Sequence, residues 1–280
     1  MFNLLNKWRL SALSALLILS ATHSSLMAWE SYDSCACNRF YIGGFGGGIY
    51  SNSTRMSQMG TAFFTEAAGG PLAVYAKGHT KKRSTGFGGA QIGYEWSQSA
   101  LCLGNSGWTI APAAEVEAYF FSHKKRGHLI NDTIRLPEHD FVNSFNMNMS
   151  VCLVNAVFSL NNDCMWGLTP YVGGGIGATH LSLRNAKSLQ VSPAEPGINH
   201  FNSKRSDSSW AFAAQAKAGL RYKICESFHI FGEYRYLFVD SSNYIFGSTV
   251  YPTHAATSPW NVKVKNIHYN AFSFGIQYDL

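Results

Sequence analysis

The sequence predicts an all-β protein: an eight-stranded antiparallel transmembrane β-barrel with short turns on one side and four long loops on the other. Three observations lead there. Charged residues make up only 14% of the 280-residue chain, well below the roughly 25% of an ordinary soluble domain. The 26 glycines accompany 19 phenylalanines and 14 tyrosines, a composition of strands and tight turns rather than helices. Apolar residues recur at every second position, most clearly at the C-terminus. There Phe272, Phe274, Ile276, Tyr278 and Leu280 share one face, and Ala271, Ser273, Gly275, Gln277 and Asp279 share the other. Abundant aromatics with sparse charge exclude intrinsic disorder. No window beyond the first thirty residues offers about 18 uninterrupted apolar residues, which excludes a helical multispan protein.

The first element is a secretory signal peptide, residues 1–28. Lys7 and Arg9 precede the apolar run Leu10–Leu19, and the small, polar segment Ser20–Ala28 follows, the three-part layout of a cleaved leader. A periplasmic lead occupies 29–38 and the barrel 39–280. Cys35 follows Tyr32-Asp33-Ser34 rather than small apolar residues, so lipidation is not expected. Cleavage after Ala28 leaves 20 basic against 16 acidic residues, a formal charge of +4, too mild to imply nucleic-acid binding.

Eight alternating segments follow, at about 39–51, 85–97, 107–122, 141–160, 168–183, 208–223, 227–240 and 265–280. In the third, Trp108, Ile110, Pro112, Ala114, Val116, Ala118 and Phe120 oppose a face holding Glu115 and Glu117. In the sixth, Trp210, Phe212, Ala214, Ala216, Ala218, Leu220 and Tyr222 oppose one holding Gln215, Lys217 and Arg221. The fourth is the least regular. Phe145, Met147, Met149, Val151 and Leu153 alternate well, but Asn155 breaks the pattern, and a bulge is expected there. Connections at 98–106, 161–167 and 224–226 are short, whereas 52–84, 123–140, 184–207 and 241–264 are long. In a bacterial outer membrane the short turns face the periplasm and the long loops face outward. The first loop contains Ala62-Phe63-Phe64 and Leu72-Ala73-Val74-Tyr75 around Gly69-Gly70. A hairpin there that entered the membrane would raise the strand count to ten. A soluble, lipocalin-like barrel would need a dry core on the face that here carries Gly, Ala, Ser and isolated charges. Trp96, Trp108, Tyr119, Trp210, Tyr222 and Tyr278 lie near segment ends, as aromatic girdles do.

Parity places Glu95, Glu115, Glu117 and Glu233 on the inner face with Lys217, Arg221 and Arg235. An eight-stranded barrel is just wide enough for side chains to fill, and charges held there are expected to pair. A closed lumen follows, with Gln91, Gln215, Ser144, Asn146 and Asn148 completing the hydrogen bonds; a solvated narrow water column is the alternative. The glycine-rich inner faces of the first and fifth strands leave room for long basic side chains. Basic groups sit just beyond strand ends: Lys77, Lys81, Lys82 and Arg83; Lys124, Lys125 and Arg126; Lys204 and Arg205. They would meet anionic groups of lipopolysaccharide in the outer leaflet, or acidic host glycans or proteins. Cys35, Cys37, Cys102, Cys164 and Cys225 fall in the lead or in short turns, and Cys152 lies mid-strand. Disulfides are plausible in an oxidising periplasm, with fifteen full connectivities open.

Phe40-Tyr41-Ile42-Gly43-Gly44-Phe45-Gly46-Gly47-Gly48, Thr169-Pro170-Tyr171-Val172-Gly173-Gly174-Gly175-Ile176-Gly177 and Gly232-Glu233-Tyr234-Arg235-Tyr236 together resemble the small outer-membrane barrels of the outer membrane protein A-like and opacity-type superfamily. That resemblance implies roles in envelope structure, adhesion or host contact. Phe272, Phe274, Ile276, Tyr278 and Leu280 resemble the C-terminal signal read by the barrel assembly machinery, with Leu280 where an aromatic is usual. A lipid A deacylase would carry a Ser two residues after a strand His, but Asn270 follows His268 at that spacing. Asp132, His139 and Asp140, with His123 and His128 nearby, invite comparison with an outer-membrane protease or a weak metal cluster, but their spacing matches no tight-site template. The expectation is a non-enzymatic barrel with no cofactor, acting through its long loops, or alternatively a small-solute channel.

Overall fold

The protein is described by a computed structural model covering residues 38–131 and 139–280. The expected signal peptide at 1–28, nearly all of the expected lead, Cys35, Cys37 and Asp132 lie outside the described residues. The strands are β1 (Arg39–Ser51), β2 (Arg55–Ala62), β3 (Leu72–Thr80), β4 (Arg83–Glu95), β5 (Leu101–Cys102), β6 (Thr109–Asn131), β7 (Asp140–Asn161), β8 (Leu168–Ser192), β9 (Asp207–Cys225), β10 (Phe228–Val239), β11 (Ser242–Phe246), β12 (Trp260–Val264) and β13 (Ile267–Asp279).

Eight of them close a ring: β6, β4, β1, β13, β10, β9, β8 and β7, the last pairing back to β6. Every pairing is antiparallel, and closure leaves the ring no free edge. These eight strands coincide with the eight alternating segments. On the ring's outer face Phe120, Val154, Phe158, Val172, Ile176, Trp210, Leu220, Phe272, Phe274 and Ile276 are exposed and form an apolar belt.

Much of the long connections is further strand, with irregular segments remaining at 193–206 and 247–259. β6, β7 and β8 run for 23, 22 and 25 residues, about twice the 9–11 that cross a bilayer, and stand well above the belt. The other strands reach the same height in pieces. β2 and β3 form a hairpin above β1 and β4, turning through Gly69 and Gly70 at φ 94° and 69°. β12 lies between β2 and β11, and β3 pairs with the upper end of β6, Ala76 to Thr80 against Asn131 to Gly127. β11 meets the 204–207 segment through Gly247 N–H to Lys204 O and Ile245 N–H to Asp207 Oδ2; Ala186 N–H to Arg205 O then carries the circuit to β8. The hairpin thus leaves the ring count at eight and walls an upper tier.

The two tiers have opposite polarity. Low on β7 the outward residues are Val154 and Phe158 and the inward ones Asn155 and Ser159; higher up the outward residues are Ser144, Asn146 and Asn148 and the inward ones Phe145, Met147, Met149, Val151 and Leu153. The upper tier is therefore built like a soluble barrel, with Met56, Leu129, Phe141, Leu183, Phe201, Tyr244, Phe246, Trp260 and Val262 buried in one cluster.

Three expectations are corrected by this inversion. Asn155 keeps the parity of β7 and there is no bulge at it; the register shifts fall between Asp140 and Phe141 and between Ser144 and Asn146, the latter opposite Arg184–Lys187, where Asn185 has φ 54°. Ser144, Asn146 and Asn148 face outward and take no part in the lumen. Tyr119 points into the lumen, buried, instead of joining a girdle.

Candidate functional site

The lower lumen is filled by ion pairs arranged as a ladder, because inward positions on β4, β6, β9, β10 and β13 are charged or polar at matching heights. At the bottom Arg39 bridges Glu95 at 2.7 Å and Asp279 at 2.8 Å, and Arg221 reaches Glu95 at 2.9 Å while bonding Ser159 and Gln277. Above it Lys217 is bound to Glu115, with Glu117 at 3.5 Å and Glu233 at 3.9 Å. The top rung is Arg235, whose guanidinium meets Glu117 at 2.9 Å and Glu233, and lies 3.9 Å from the centre of the Phe45 ring.

Uncharged groups complete the ladder. Tyr41 donates to Glu115 and Tyr171 to Glu233, each at 3.0 Å, and Ser273 donates to Glu233 at 3.0 Å. Asn155 donates to Glu115 at 3.1 Å, and Gln215 donates to Glu117 and Asn155. The seven charged residues singled out from parity thus stand together. Arg39 was missed, although its parity with Tyr41 and Phe45 carried the signal. On the inner faces of the first and fifth segments the room is taken by Gln91 against Gly43, by Lys217 against Gly173, where a Cβ would stand 3.4 Å from its Cε, and by Asn155 against Gly175; on β4 and β9 tyrosines take it, Tyr41 against Gly93 and Tyr171 against Gly219. The gap between Tyr41, Glu115, Tyr171, Lys217 and Arg221 measures about 10 Å³, room for about one water. Over the ladder lies an aromatic layer in which Phe45, Phe87, Tyr119, Phe121 and Tyr269 meet at centroid distances of 5.1–6.4 Å.

The external basic groups separate into two kinds. Lys81, Lys82, Arg83, Lys124 and Arg126 are exposed, and Lys81 N–H donates to Arg126 O, so the β3–β4 junction and β6 form one cationic patch just above the belt. Lys125 corrects the expectation: β6 continues past it as strand, so alternation turns it inward, where it is fully buried and bonds Ser51 Oγ and Asn52 O. Burial pulls its ammonium down to about 8. Lys204 pairs with Asp207 at 2.8 Å, and Arg205 Nε donates to Ala186 O. A polar groove of about 520 Å³ opens on the outer wall where β8 and β9 part, lined by Ser182, Arg184, Asn185, Arg205, Asp207 and Ser208 among others.

Cys102, Cys152, Cys164 and Cys225 are free and exposed, so no pairing among these four is formed. His268 Nδ1 lies 2.6 Å from Tyr236 OH on the outer face, and His128 stands 3.7 Å from Asp140. Sequence spacing gave no hint of one further cluster. Glu195, His200 and His254, far apart in the chain, bring a carboxylate oxygen and two ring nitrogens within 4.8 Å of one another.

A closed eight-stranded ring with an outward apolar belt and an ion-paired interior defines a small outer-membrane β-barrel, and the chain's location is the bacterial outer membrane. The chain belongs to the surface antigen family, whose model matches residues 73–278. Among solved structures it is similar to Neisserial surface protein A, with 12% identity over 85% of this chain and 96% of that one and a TM-score of 0.32. It is also similar to the outer membrane protein OprG of Pseudomonas aeruginosa (12%, 86% and 96%, 0.41) and to the outer membrane protease OmpT of Escherichia coli (9%, 86% and 97%, 0.40). No curated protein sequence matches the chain.

Proposed function

We propose that this surface antigen is an electrically closed transmembrane barrel whose role, structural and adhesive rather than catalytic, is to present a rigid folded cap at the cell surface. The observation that carries the reading is the filled lumen. The ion-paired ladder encloses, between Tyr41, Glu115, Tyr171, Lys217 and Arg221, a gap with room for about one water, and an aromatic layer and an apolar cap lie above it. A small-solute channel would require all three layers to open. On this reading the belt faces lipid, residues 1–28 are a cleaved signal, and residues 29–38 stay periplasmic. The terminal strand, Phe272 to Leu280, is what the barrel assembly machinery recognises.

The surface role falls to the cationic patch and the groove. Lys81, Lys82, Arg83, Lys124 and Arg126 stand where the belt ends, at the height of lipopolysaccharide phosphates, while the groove with Arg184 and Arg205 lies on the same outer wall and suits an acidic glycan. Replacing Lys81, Lys82 and Arg83 together with Ser tests this. Binding of cells displaying the protein to immobilised acidic glycan is expected to fall, with heat-modifiable gel mobility unchanged. Undiminished binding contradicts the adhesive role.

A further inference from the structure

Glu195 and His200 belong to the segment that follows β8, and His254 to the segment that precedes β12, so the cluster joins two stretches far apart in the chain. Local hydrogen bonds hold both stretches. Glu195 N–H donates to Gln190 O, Asn199 N–H donates to Tyr251 Oη, and the Asn202 side chain donates through Nδ2 to Val250 O and accepts at Oδ1 from Val250 N–H.

The two imidazoles are oriented alike. His200 Nδ1 lies 3.2 Å from Ser188 O, and His254 Nδ1 lies 2.6 Å from Ala255 O. A carbonyl accepts only from N–H, so each Nδ1 carries the proton and each Nε2 is left with a lone pair when the ring is neutral. Both Nε2 atoms face the same oxygen, Glu195 Oε2, at 3.4 and 3.3 Å. That oxygen is buried and has no hydrogen-bond partner, which is costly for a carboxylate. The separations are longer than the roughly 2.7–2.9 Å of a charge-assisted N–H···O bond. They match the edge of a tetrahedron, about 3.4 Å, when ligands stand about 2.0–2.1 Å from a central zinc.

The surroundings fit as well. Backbone carbonyls on the far nitrogens are the outer support that fixes a metal-binding histidine. The rings of Phe141 and Trp260 flank His200 at 5.2 and 5.9 Å, and the His200 and His254 rings cross at 85°. The carboxylate of Glu195 is 31% exposed, His254 16% and His200 3%, so an ion enters from outside. His139 Nδ1 is buried without a hydrogen-bond partner.

We propose that Glu195, His200 and His254 form a site for a divalent transition-metal ion, Zn²⁺ being the natural occupant of a two-imidazole, one-carboxylate set with a fourth position open to water. The ion ties the segment after β8 to the segment before β12 and locks the tip of the cap. Among the described residues this is the one such cluster.

The test uses the full mature chain folded in detergent micelles, stripped with a chelator and titrated calorimetrically with Zn²⁺, with Co²⁺ visible absorption as a second readout. One equivalent is expected to bind, and Co²⁺ should give the intense bands of a four-coordinate site. Glu195→Gln and His254→Gln, both partly exposed and checked for heat-modifiable mobility, should each weaken binding by more than about tenfold, the least expected even of a residue that only supports a ligand. His128→Gln should leave it unchanged. Binding that persists in both variants, or absence of a saturable equivalent in the unmodified chain, overturns the site.

Discussion

Arg235 meets Glu117 and Glu233 and covers the Phe45 ring, so its positive charge and its flat face are both used. Arg235→Met leaves two buried carboxylates short of a partner and should lower unfolding stability in micelles by about 3–5 kcal/mol. Combining it with Glu117→Gln should recover part of that loss, because charges removed together leave less uncompensated. Equal losses in the single and the double variant would argue against coupling within the ladder. Lys125 makes a different prediction. Its folded value of about 8 lies below the ordinary lysine range near 10.5, so between those values the unfolded chain binds more protons and stability rises with pH. Below about pH 8 the full cost of burying the charge is present. Lys125→Met should therefore match or exceed the natural chain at pH 7, and the difference should shift in favour of the natural chain as the pH climbs towards 10.5. Parallel stability profiles for the two chains would refute the assignment.

At the scale of elements, the ring strands were legible because alternation against lipid is a strong, single-sign signal, and the bounds of β1, β7 and β10 fall within a residue or so of the alternating segments. The upper tier was not, for a physical reason. Parity along β6 never changes, but the apolar face does: Val116 and Phe120 face out below, whereas Lys124, Arg126 and His128 face out above with Leu129 inside. A reading that seeks one apolar face ends each strand where the solvent changes, and so treats the remainder as loop. The same inversion hid Lys125 among surface cations and made Asn155 look like a break. The histidine–glutamate cluster was invisible because its members meet through tertiary closure, not through spacing. If the upper tier is a packed body, Trp260, 1% exposed and bonded through its indole N–H to Thr249, is central to it. Trp260→Ala should cost about 3–5 kcal/mol of local stability. Trypsin should then cleave readily at Lys81 and Lys82 while the ring strands stay protected. Cleavage unchanged from the natural chain would mean that the cap does not depend on this packing.

For the whole molecule, one barrel serves two solvents. The lower tier turns apolar side chains outward and must satisfy its charges internally, while the upper tier keeps the reverse arrangement in water, and unbroken β6, β7 and β8 run through both. On the proposed reading such a scaffold holds its cap above the lipid for recognition by surface contact and carries no current through its middle. The most direct measurement is planar-bilayer conductance of the folded mature chain, after its heat-modifiable mobility has confirmed assembly. A membrane that stays electrically silent is the predicted result. Stable stepwise current would contradict the closed lumen, and would make Glu117, Lys217 and Arg235 the lining of a channel.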